Sequence, residues 1–87
     1  MAKATKKSVT IEVYRVLAGV SALDVAEIND TDDLKKDLGL GANLIKSLAG
    51  TWTKISKYFG GKSVTLTEAG KCKKVKDVID LVWGKVK

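Results

Sequence analysis

The stretch Asp32-Asp33-Leu34-Lys35-Lys36-Asp37-Leu38-Gly39-Leu40-Gly41-Ala42-Asn43-Leu44 decides how the chain is read. Two aspartates open it. Leu34 and Leu38 follow four apart, the spacing of two residues that share one face of a helical turn. Gly39 and Gly41 then bracket Leu40, and glycine's freedom of backbone angle lets the chain turn sharply there. Asn43 stands where a helix would begin. As an N-cap its side-chain oxygen accepts a hydrogen bond from an orphan N–H of the first helical turn. A helix start behind a glycine corner is also a place where an anion is welcome.

Outward from this corner the apolar spacing is helical. Downstream, Leu44, Leu48, Trp52, Ile55 and Phe59 follow in steps of four, four, three and four, which predicts a long helix over residues 43–59. Ile45 and Ala49 widen its stripe. Lys46, Lys54 and Lys57 lie on its polar face with Ser47, Thr51, Thr53 and Ser56, and without an acidic residue. Gly50 in its middle suggests close approach of another helix or of a ligand. Gly60-Gly61 ends it as C-terminal glycines do. Upstream, Val9, Val13, Val16, Leu17 and Val20 predict a first helix over residues 8–21, capped by Ser8. Thr31 is read as the cap of a short turn over residues 32–36, and Leu23 and Ile28 as inward anchors of the loop. Thr67 is read as the cap of a short helix over residues 68–72. Val75, Val78, Ile79, Val82 and Trp83 form the stripe of a last helix over residues 74–85. Lys73, Lys74 and Lys76 crowd the start of that helix, where the dipole disfavours positive charge. No fold-level reason for them is visible in the sequence, which points towards a functional one. The expectation is an all-α bundle of four helices, three long and one short, with a long loop between the first two. Residues 1–7 are read as a disordered basic arm and residues 8–87 as one domain.

The composition narrows the function. The 87 residues include no histidine, no proline and one cysteine, with a net charge of +6. Metal clusters and histidine-based catalysis are therefore not expected. Cys72 has no partner for an internal disulfide and is read as a small buried hydrophobe, consistent with a reducing, cytoplasmic setting. No apolar run is long enough to span a membrane. The charge is uneven: +3 over residues 1–23, −4 over residues 24–37 and +7 over residues 38–87. A basic second half set against an acidic loop suits an anionic partner.

The order of these parts resembles the acyl carrier protein family. Glu27-Ile28, Leu34 and Asp37-Leu38-Gly39-Leu40 are similar to the family's loop entering helix two. Lys57-Tyr58-Phe59 and then Val64 are similar to the end of that helix and the next anchor, and residues 75–82, Val-Lys-Asp-Val-Ile-Asp-Leu-Val, to the last helix. The resemblance covers about residues 9–83 and implies the family's four-helix fold. In the family an Asp-Ser-Leu triplet follows the corner, and its serine hydroxyl carries 4′-phosphopantetheine. Here Gly41-Ala42-Asn43-Leu44 occupies that place, with one residue inserted, so that Asn43 matches the modified serine. An amide cannot replace the hydroxyl. The resemblance thus implies a carrier-like fold with 4′-phosphopantetheine absent. Ser47, one turn further on, is the alternative attachment point. The family's second helix is acidic and docks on basic enzymes, whereas this one is basic and would repel such surfaces.

Three functions follow. The first is a non-enzymatic, monomeric carrier-like interaction or regulatory module that meets an acidic protein through Lys46, Lys54, Lys57, Lys73, Lys74 and Lys76. The second is a specialised carrier modified at an unrecognised serine and serving an acidic partner. The third is a nucleic-acid or anionic-surface binder using Lys71, Lys73, Lys74, Lys76, Lys85 and Lys87 near Trp83. A phosphate-bearing ligand held noncovalently at residues 41–43, assisted by Lys46, is a further expectation.

Overall fold

A computed structural model describes residues 4–87. The elements in order are α1 (Lys6–Ser21), a 3-10 turn (Val25–Glu27), α2 (Ala42–Ser47), α3 (Ala49–Tyr58), α4 (Leu66–Gly70) and α5 (Val75–Val86). The protein is all-α among the described residues, and four helices result when α2 and α3 are counted as one broken helix.

Helix α1 begins two residues earlier than its apolar spacing suggests. Thr5, not Ser8, is the N-cap, and its hydroxyl accepts from Ser8 N at 3.0 Å. Lys6 and Lys7 therefore belong to the helix, Thr5 caps it and Ala4 packs against the core, so residues 4–7 are not the expected disordered arm; residues 1–3 lie outside the described residues. Val9, Val13 and Leu17 are completely buried. Val20, expected on the same stripe, is exposed because the helix ends one residue later. Ala22 closes it in the left-handed region at φ 60°, with its N–H donating to Ala18 O.

The predicted second helix breaks at Leu48, where ψ moves to −8°. Leu48 N still donates to Leu44 O at 3.1 Å, and Trp52 N to Leu48 O at 2.9 Å, so Leu48 keeps helical bonds on both sides of the break. The buried residues are Ile45, Leu48, Ala49, Trp52, Ser56 and Phe59. Ile45, Leu48, Ala49, Trp52 and Phe59 are buried as expected, and Ile55 is half-buried against the core. Leu44, expected on the same stripe, faces solvent. Ser56 does the opposite: assigned to the polar face, it is fully buried, and its hydroxyl donates to Lys62 O at 2.6 Å. Thr53 does similar work, accepting from Val64 N at 2.8 Å and donating to Val64 O at 3.1 Å. Together the two hydroxyls fasten the α3–α4 connection to α3.

Gly61 makes the close approach that the sequence suggested for Gly50. A Cβ on Gly61 would lie 2.4 Å from Ser56 Oγ and 2.7 Å from Lys85 O, whereas Gly50 has nothing within 4 Å. The α3 end and the α5 end can pack this closely only over a glycine.

Helix α4 is capped by Thr65 rather than Thr67. Thr65 Oγ accepts from Glu68 N at 3.1 Å, and the Glu68 carboxylate accepts in return from Thr65 N at 3.0 Å. This is a reciprocal capping box. Glu68 also pairs with Lys85 at 2.7 Å, tying α4 to α5. Helix α5 buries Val75, Val78, Ile79 and Val82 against α1 and α3.

Candidate functional site

The opening corner is built from an acidic loop that grips the start of α5. Asp33 Oδ1, not Thr31, caps the turn after it, accepting from Lys35 N and Lys36 N at 2.9 Å each. The Asp37 carboxylate accepts from Asp33 N at 2.7 Å. Leu34, Leu38 and Leu40 then point into the core. The loop runs antiparallel past residues 73–75: Leu34 N donates to Lys73 O at 2.8 Å and Val75 N to Asp32 O at 3.0 Å. Lys76 N donates to Asp30 O at 2.9 Å. The first free N–H groups of α5 thus find loop carbonyls, while Asp77 accepts from Lys73 N and Lys74 N.

Lys73, Lys74 and Lys76 lie beside a loop carrying Asp30, Asp32 and Asp33, and none of the three forms an ion pair among the described residues. The backbone N–H of Lys36 first, then that of Lys35, and after them the Lys36 and Lys74 ammonium groups hold the Asp33 carboxyl below its ordinary range. The Tyr14 phenol donates to Asp30 from α1, and burial first, then that carboxylate, push it up to about 12.

Gly39 turns the corner at φ 71°, and Gly41 then becomes the N-cap of α2. Asn43 is therefore not the cap. It is the second residue of the helix, exposed, with no side-chain capping bond. Ser47 is exposed one turn on, and its hydroxyl donates to Leu44 O at 2.9 Å. Lys46 turns away from the corner: its stem runs over α4, 3.8 Å from where a Cβ on Gly70 would be. Cys72 is buried, and burial pushes its thiol up to about 11, with Asp77 and Glu68 adding to the effect. A thiol so held is a poor nucleophile. Among the described residues no group of three His, Cys, Asp or Glu side chains is arranged to hold a metal ion. Among the described residues no helix is long and apolar enough to cross a membrane.

The expected interaction lysines divide between two places. Lys54 and Lys57 stand on the outward side of α3, while Lys73, Lys74 and Lys76 stand at the α5 start. Sequence reasoning missed two partners of the α3 pair. Leu44 is 38% exposed and Tyr58 is 66% exposed. Leu44, Ser47, Thr51, Lys54 and Tyr58 recur at i, i+3, i+7, i+10 and i+14, a helical stripe that was present in the sequence but masked by the competing Leu44–Leu48–Trp52 spacing. Tyr58 keeps its ring edge-on to Phe59, with centroids 5.0 Å apart.

No family model, no curated protein and no solved structure matches this chain.

Proposed function

We propose that the protein is a small carrier-like interaction module, without a covalent 4′-phosphopantetheine arm, that docks an acidic partner protein on the outward face of α2 and α3. The observation that carries this reading is the composition of that face. Leu44 and Tyr58 stand exposed at its two ends, with Lys54 and Lys57 between them and Lys46 beside them. None of these lysines is in an ion pair among the described residues. Exposed aromatic and apolar anchors flanked by one sign of charge are what a partner-binding surface needs. The lysines would steer an acidic surface inward, and the anchors would then be buried.

The carrier-like part of the reading draws support from the order of elements. One long helix, a loop over residues 22–41, a broken second helix, a short third and a long last one follow the sequence resemblance. Asn43 supports the missing arm, because it offers an amide, not a hydroxyl, at the exposed start of α2. Ser47 is no better placed, since its hydroxyl hydrogen is committed to Leu44 O.

The test is affinity recovery from the native host with three forms of the protein: unaltered, Lys54→Glu with Lys57→Glu, and Tyr58→Ala. The expected result is an acidic protein retained by the unaltered form and lost from both variants. The same proteins retained by all three forms would refute the assignment of this face.

A further inference from the structure

Lys35, Lys36 and Lys73 line a recess of about 220 Å³ whose remaining walls are Asp33, Gly70 and Cys72. Two chain segments make it: the turn over residues 33–36, and residues 70–73 between the end of α4 and the start of α5. The antiparallel crossing at Leu34 and Lys73 locks them together. In the sequence, Lys35 and Lys36 fall in the most acidic segment, so charge counting hides them.

The carboxylates nearby do not neutralise these ammonium groups by ion pairing. Asp33 spends Oδ1 on two backbone N–H groups, Asp37 accepts from Asp33 N, and Asp77 accepts from Lys73 N and Lys74 N. The ion pairs among the described residues, Lys6–Asp80, Arg15–Glu12 and Lys85–Glu68, involve none of the recess lysines. Several ammonium groups are thus gathered around one small concavity.

We propose that this recess binds a compact phosphate anion of the pyrophosphate type through the ammonium groups of Lys35, Lys36 and Lys73. Lysine engages phosphate as a point charge and needs no fixed fork geometry. The backbone N–H groups of Lys35, Lys36 and Lys73 already have acceptors, so the contact is made by side chains alone and depends on the charge of the anion. A recess of this size has room for a compact anion such as a pair of phosphoryl groups. The walls are polar and charged, which disfavours an apolar ligand. This site is separate from the α2–α3 face and uses neither the carrier-like topology nor an acidic partner protein.

Amide NMR titration of the full chain tests it, with pyrophosphate as the probe and inorganic phosphate, a nucleoside diphosphate and single-stranded RNA as separate arms. Saturable shifts are expected at Lys35, Lys36, Gly70, Cys72 and Lys73, several-fold tighter for pyrophosphate than for phosphate, and weakening as salt is raised. Lys36→Ala with Lys73→Ala should weaken binding at least tenfold while circular dichroism stays unchanged. Asp33→Asn removes the one negative wall and should tighten binding. A nucleoside diphosphate that matches pyrophosphate assigns the site to phosphoryl chemistry alone; one that binds more tightly, with the same shifts, adds a base to it. Silence at the recess with pyrophosphate, undiminished binding in the double variant, or shifts with RNA only would overturn the proposal.

Discussion

Replacing Gly61 by alanine tests the packing that holds α3 against α5. The new methyl would lie 2.4 Å from Ser56 Oγ, 2.7 Å from Lys85 O and 2.8 Å from Val86 Cα. Two of those neighbours are backbone atoms and cannot rotate aside. Ser56 is fully buried, and its hydroxyl donates to Lys62 O, so it cannot swing out without leaving that bond. Gly61 N also donates to Ser56 O at 2.7 Å, and Lys62 N to Lys85 O at 3.1 Å. Overpacking of this kind costs about 1–3 kcal/mol. A buried hydroxyl left without its partner adds about 1–3 kcal/mol. The expected loss is roughly 2–4 kcal/mol, the two effects sharing some of the same displacement. At about 4–8 °C per kcal/mol for a chain of this size, Tm should fall by roughly 10–25 °C. Gly50→Ala is the internal control. Gly50 is exposed within α3 with nothing within 4 Å of a new methyl, so alanine there should stabilise by about 0.5–1 kcal/mol. Urea denaturation followed by circular dichroism measures both. A Gly61→Ala loss under about 0.5 kcal/mol, or equal effects at the two glycines, would refute the reasoning, since surface-like substitutions stay in that range.

Ala22→Gly should stabilise by about 0.5–1 kcal/mol in thermal melts, because Ala22 holds φ 60° where a Cβ is strained and exposed glycine is not. Glu68 sits well below its ordinary range, at about 2, chiefly through Lys85. Its folded-state value is depressed, so its contribution is present above pH 4.5 and is lost as pH falls towards 2. An acid titration of Tm should therefore be flatter for Glu68→Gln over that window. Tyr14 is raised to about 12, so its contribution persists below pH 10 and disappears as pH rises towards 12; Tyr14→Phe should remove that alkaline limb. Cys72 should react slowly with a thiol reagent at pH 8 in the folded protein and rapidly in denaturant, because burial keeps it protonated.

The helical class was legible because long apolar stripes repeat at helical spacing. Val9, Val13 and Leu17, and Val75, Val78, Ile79 and Val82, are buried as that spacing predicts. The inward turns at Ile28, Leu34 and Leu38 were equally plain, since each is a lone apolar residue in a polar loop. Caps were read less well. Ser8, Thr31, Asn43 and Thr67 are all residue types that cap helices, but Thr5, Asp33, Gly41 and Thr65 hold the capping positions. Several candidate cap residues lie within a few positions of each start, and tertiary fit chooses among them. Leu44 was misplaced for a related reason. Leu44 and Ile45 are both large and apolar, so spacing alone could not say which faces inward. Ser56 was unreadable because its partner, Lys62 O, lies beyond the helix end. The backbone crossing between the acidic loop and the α5 start could not be read, because the two segments are some 40 residues apart in the chain.

Under the proposed function, the exposed start of α2 carries no covalent arm. Intact-mass spectrometry of the protein after incubation with coenzyme A and a phosphopantetheinyl transferase tests it most directly, alongside the same measurement on protein recovered from its native host. An unchanged mass in both is the predicted result. A mass increase equal to one phosphopantetheine arm in either would contradict it, and its persistence or loss in Ser47→Ala would then say whether Ser47 carries the arm.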